Sequence, residues 1–95
     1  MEVKKILNER EKTYGQYHMV SKISQDVKKV IRNSPNYPLM PDYMKESLDL
    51  IANKLARLLN GDPLYYDSWR DISWYCTLVQ MEIEYIENRV ELDAC

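Results

Sequence analysis

Two sets of side chains in this sequence could do chemistry. The first is acidic: Glu46 and Asp49 are three apart, Asp67 and Asp71 four apart. On helices each pair shares a face. Mg²⁺ commonly takes one or two carboxylates together with phosphate oxygens, so these four are the candidate metal ligands. The same residues also read as a helix N-cap (Asp67), a partner of the helix dipole (Asp71) and two solvated charges. The second set is Lys54 and Arg57, close in sequence to Asp62 and Asp67. Arg57 has the planar fork that grips a phosphate, with Lys54 as a point charge, and salt bridges to Asp67 and Asp71 are the competing use. Tyr14 and Trp74 supply π-faces on which a base could stack. A ligand carrying at least one phosphate is therefore expected where Lys54 and Arg57 approach the start of the last helix, aided by free backbone N–H groups near Asp67.

Other reactive patterns are missing. His18 is the lone histidine, with no cysteine or second histidine near it in sequence, which is not a zinc pattern. No Ser-His-Asp spacing, Cys-His pair or Gly-rich phosphate loop stands out, so no catalytic residue is assigned. No cofactor is required, although the carboxylates leave Mg²⁺ open.

The elements that must position these groups are helices. Val3, Ile6, Leu7 and Tyr14 mark an amphipathic edge over 3–14, which Gly15 ends. Val20, Ile23, Val27, Val30 and Ile31 repeat at helical spacing over 17–33, with Lys22, Lys28, Lys29 and Arg32 on the other face. That basic face is either solvated or anion-binding. Three prolines between Ser34 and Pro41 enforce a loop. A third helix over 41–60 carries a predicted core stripe of Met44, Leu48, Ile51, Leu55 and Leu58, and a polar stripe that includes Asn53 and Arg57. Gly61 and Asp62-Pro63 stop it. The fourth helix starts at Asp67 and runs to about residue 92, with an unbroken seam of Trp69, Ile72, Cys76, Val79, Ile83, Ile86 and Val90. At about 1.5 Å per residue it is about 40 Å long, longer than its neighbours, so a second subunit is the natural cover for its excess. The expected fold is all-α, a four-helix bundle with a long C-terminal helix. Cys76, within the seam, is expected to be buried and reduced, and Cys95 mobile.

Composition sets outer limits. Ninety-five residues make one domain, spanning 1–95. A net charge of −2 argues against non-specific nucleic-acid binding. No apolar run approaches the length of a membrane span, and two unpaired-looking cysteines suit a reduced, cytoplasmic protein. Eight tyrosines against no phenylalanine put a hydroxyl on most of the aromatic bulk, which favours wet grooves or interfaces.

Three stretches carry a resemblance. Glu9-Arg10 with Thr13-Tyr14-Gly15, then Lys54 to Pro63, then Asp67 to Tyr75 resemble a family of small phage and prophage proteins of unknown function. There the pattern runs E-R-x-x-T-Y-G, K-[IL]-A-R-[IL]-L-N-G-D-P and D-S-W-x-D-I-x-x-Y. This adds Arg10 to the candidate ligand-binding residues Tyr14, Lys54, Arg57, Asp67, Asp71 and Trp74. The second half is also similar to MazG-like all-α nucleotide pyrophosphohydrolases, which hold Mg²⁺ with E-x-x-E on one helix and E-x-x-D on the next. Glu46 to Asp49 fits the first of these loosely. Ser68 stands where the second requires a carboxylate.

The resemblances imply non-catalytic binding of a nucleotide-derived molecule, as in a phage counter-defence sponge that sequesters an immune signal. The setting would be the cytoplasm of an infected or lysogenic host, and the protein a homo-oligomer built on its long helix. The alternatives are a metal-dependent pyrophosphohydrolase of MazG-like type and a structural or partner-binding helical module.

Overall fold

The computed structural model describes residues 2–94, with side chains described as far as residue 89. Four α-helices follow one another: α1 (Glu2–Tyr14), α2 (Tyr17–Arg32), α3 (Asp42–Asn60) and α4 (Tyr66–Ala94). A short 3₁₀ turn, Tyr37–Leu39, lies inside the proline loop, and no strand occurs among the described residues. The all-α, four-helix expectation holds, with boundaries within two residues of those predicted. Val90, the end of the seam, and Cys95 lie outside what is described.

α3 is the central helix, with α2 packed on one side and α4 on the other, while α1 touches α2 and α3. The packing is unusual in what it buries. Ala52 and Ala56, one turn apart, are fully enclosed, joined by Ser68, Ser24, Leu58 and Ser47. Among the described residues no large side chain is fully buried. The predicted α3 stripe is thus only partly a core: Leu58 is buried, whereas Met44, Leu48, Ile51 and Leu55 are half-buried. Small side chains bring the helix backbones close together, and the larger apolar groups are pushed to the rims of the contacts.

The α4 seam departs further from expectation. Ile72, Val79 and Ile83 are half-buried, but Trp69 and Ile86 are exposed and Cys76 is an exposed free thiol. Among the described residues α3 is the main neighbour of α4, and it leaves Trp69, Cys76 and Ile86 exposed. The chain measures 64 × 26 × 22 Å with a radius of gyration of 17.2 Å. A compact chain of this length would have about 12 Å.

Candidate ligand-binding site

Two glycine corners dock on one another and build the site. Gly15 takes a φ of 82°, which turns α1 into α2 and suits glycine alone. Gly61 ends α3, with its N–H donating to the Arg57 carbonyl. A Cβ at Gly61 would overlap Thr13 O and the backbone of Tyr14, and one at Gly15 would overlap Asn60. Across the junction the Asp62 N–H donates to Thr13 O at 2.7 Å, and Asn60 Nδ2 to Tyr14 O at 3.4 Å. The Thr-Tyr-Gly and Asn-Gly-Asp segments are therefore two halves of one backbone contact.

That contact sets the last turn of α1 beside Arg57, one turn before Gly61. The guanidinium lies over the Tyr14 ring, 4.6 Å from its centroid. Tyr14 also meets Tyr65, with centroids 5.6 Å apart and planes tilted by 36°. The Tyr65 hydroxyl donates to Asp67 Oδ2 at 3.3 Å. The neighbouring Tyr14 hydroxyl first, and the Asp67 carboxylate after it, hold the Tyr65 phenol above its ordinary pKa.

Two clefts open from Arg57. One, of about 240 Å³, lies between α1 and α2 and is bounded by Leu7, Arg10, Tyr14, Tyr17 and Val20. The other, of about 290 Å³, lies between α2 and α3 and takes in Tyr17, Val20, Ser24, Lys28 and Asn53. Arg57 lines both. Among the described residues neither Arg57, Arg10 nor Lys28 forms an ion pair.

Of the sequence-predicted ligand residues, Arg10, Tyr14 and Arg57 come together here. The others do not. Lys54 Nζ is 3.0 Å from Asp71 Oδ2, with its side chain mostly covered, so it is a salt-bridge partner and not a lining residue. That hydrogen bond, more than any other influence, holds the Asp71 carboxyl below the usual carboxylate range. Arg70 adds contacts of 3.5 Å to Asp67 and 3.6 Å to Asp71. Asp67 does not cap α4, because the helix has already begun at Tyr66. The turn is instead closed by Asp62, whose carboxylate accepts from the Leu64 N–H at 2.9 Å. Trp74 is 53% exposed on α4 and borders neither cleft.

The proposed metal ligands are likewise dispersed. Asp49 meets Arg32 of α2 at 3.4 Å, Asp71 meets Lys54, and Glu46 lines a separate groove with Tyr43, Tyr75 and Glu82. Among the described residues no three carboxylate, histidine or cysteine groups converge on a point that could hold a metal ion. Helical rise is the reason: Glu46 lies roughly 15–20 Å up α3 from the loop beside which Asp67 sits.

No family model, no curated protein and no solved structure matches the chain. The site therefore stands on its own chemistry. Tyr17, Lys28 and Asn53 are among the lining residues that the sequence-based candidates did not include. Lys28 belongs to the basic face of α2 and Asn53 to the polar stripe of α3, so the signals were present. Only the folded arrangement joins them to Arg57. Among the described residues no helix is long and apolar enough to cross a membrane.

Proposed function

We propose that this protein binds a small phosphate-bearing aromatic molecule of nucleotide type and holds it without cleaving it. The observation behind this reading is Arg57: a cation with no ion-pair partner among the described residues, half-buried against a tyrosine ring, at the meeting point of two clefts. Tyr14 and Tyr17 offer faces to a base, and Arg10 a second positive charge. Holding in preference to cutting is favoured because Asp49 and Asp71 are engaged with Arg32 and Lys54 while Glu46 stands apart. Sequestration of a nucleotide-derived immune signal by a phage-encoded protein, in the host cytoplasm, is the role that best suits such a binder. It is supported by the motif resemblance.

Incubation with a panel of nucleotides and signal nucleotides, followed by mass spectrometry of bound and released species, should recover a ligand intact in EDTA. Arg57→Ala should weaken its binding ten- to a hundred-fold, the effect of losing a contact worth about 1.5–3 kcal/mol. Mg²⁺-dependent pyrophosphate release would select the hydrolase instead. Unchanged affinity in folded Arg57→Ala and Tyr14→Leu variants would move the site elsewhere.

A second copy of the chain is proposed to cover α4. The protein exposes 7508 Å², whereas a compact monomer of its mass exposes about 5,800 Å². The excess is about twice the 800 Å² or so that each partner contributes to a standard interface. Trp74, Leu78, Met81 and Tyr85, spaced by four, three and four, are all exposed on this helix. Light scattering at micromolar concentration should give a dimer or larger species, and a monomer refutes the assembly.

A further inference from the structure

The two clefts around Arg57 differ in chemistry, and the difference orients the ligand. The α1–α2 cleft is walled by rings and aliphatic groups: Leu7, Tyr14, Tyr17 and Val20. The α2–α3 cleft is polar. Ser24, one of the few buried polar residues, donates its hydroxyl to Asn53 Oδ1 at 2.9 Å. That bond fixes the amide with its oxygen toward α2, leaving Asn53 Nδ2 without a protein partner among the described residues. Lys28 and Arg57 line the same cleft, and among the described residues neither forms an ion pair. The nearby Asp26 is committed to Lys22 at 2.9 Å on the outer face of α2. Among the described residues no carboxylate lines this cleft, whereas Glu11 lines the other.

Three donor groups from two helices, with no acid among them, make a site for a group that only accepts. We propose that the α2–α3 cleft is a polyphosphate subsite formed by Lys28, Asn53 and Arg57, with the aromatic end of the ligand in the α1–α2 cleft. This rests on the nucleotide reading for the aromatic end and deepens it. It predicts a preference for di- and triphosphates over monophosphates, because two cations flanking a neutral donor match a chain of at least two phosphate groups. Each cleft alone lies below the roughly 300 Å³ at which small-molecule sites begin, and the two joined through Arg57 fall within that range. The phosphate thus sits between α2 and α3 and not at the α4 start expected from the sequence, where Lys54 is paired with Asp71.

The test uses inorganic pyrophosphate and ADP separately, by ³¹P NMR line broadening and calorimetry on the full chain. Pyrophosphate should bind the parent, and Lys28→Ala should weaken it at least ten-fold. Asn53→Asp keeps an oxygen for the Ser24 hydroxyl while replacing the free donor by a negative charge, so it should abolish binding without unfolding the protein. The weakening by both variants should carry over to ADP, with a smaller effect on AMP. Pyrophosphate bound while no nucleotide binds keeps the subsite and removes the nucleotide reading. ADP bound through Arg57 and Tyr14, with Lys28→Ala and Asn53→Asp both silent, removes the subsite and keeps the nucleotide reading. No pyrophosphate binding at 10 mM, on the order of a very weak contact, also overturns the subsite.

Discussion

Replacing Gly61 by alanine should be among the most damaging single-methyl additions this chain can undergo. The new Cβ would come within 2.5 Å of Tyr14 Cα and closer still to Thr13 O. Relief requires the corner of α1 to retreat by about 1 Å to reach ordinary carbon–carbon contact. The obstacles are backbone atoms, which cannot rotate away as a side chain can. Overpacking of this kind costs about 1–3 kcal/mol. The retreat also breaks the 2.7 Å bond from Asp62 N–H to Thr13 O, worth about 1 kcal/mol. Reduced freedom of the unfolded chain returns about 0.4–1 kcal/mol. A net loss of about 2–3 kcal/mol should lower Tm by roughly 10–20 °C for a domain this size. Thermal melts followed by circular dichroism at one fixed protein concentration measure it, since assembly would make Tm concentration-dependent. Leu59→Ala, at a 68% exposed position two residues earlier, is the control and should change stability by less than about 0.5 kcal/mol. A Gly61→Ala protein melting within 2 °C of the parent, on the order of the control's effect, would mean the corners do not touch as described.

Two further outcomes are expected. Glutamate at both Leu78 and Met81 should turn the assembled protein into monomers by light scattering while the helical signal persists; an unchanged mass places the interface off this stripe. The Lys54–Asp71 pair should make stability acid-sensitive. Because the Asp71 pKa is lowered in the fold, its contribution is present above the unfolded carboxylate pKa of about 3.9 and is lost as pH falls through the folded value. Lys54→Met, which keeps the aliphatic stem, should flatten the fall in urea midpoint between neutral pH and pH 3, and a parallel curve would refute the pairing.

Helix count, helix ends and the stopping role of both glycines were legible in the sequence because periodicity and backbone freedom are local properties. What sets the helices close together was not. The apolar stripe of α3 suggested a leucine core, yet the enclosed positions are Ala52 and Ala56, whose size matters only once a neighbouring backbone approaches. Cys76 was expected to be buried because it sits within an apolar seam between Ile72 and Val79, but periodicity alone does not show which part of a seam a neighbouring helix covers. Arg10, Tyr14 and Arg57, singled out by motif and residue type, line one cleft. Lys54 and Asp71, also expected there, pair with each other instead, and sequence proximity does not reveal which charge a salt bridge has already consumed. Lys28 and Asn53 lie 25 positions apart, and only tertiary packing brings them into one cleft.

α1 buries none of its residues, and Val3, Ile6 and Leu7 stay more than half exposed. Its hold on the bundle is concentrated at its last turn, in the Thr13 and Tyr14 carbonyl bonds and the Tyr14–Arg57 contact. Such a helix is a lever fixed at one end. It can swing about Gly15 without disturbing α2–α4, so its amides should exchange with solvent far faster than those around Ala52 and Ala56. A ligand reaching from Arg10 and Tyr14 to Arg57 would tie the lever down, and occupancy would appear as slowed exchange along α1, including turns the ligand never touches.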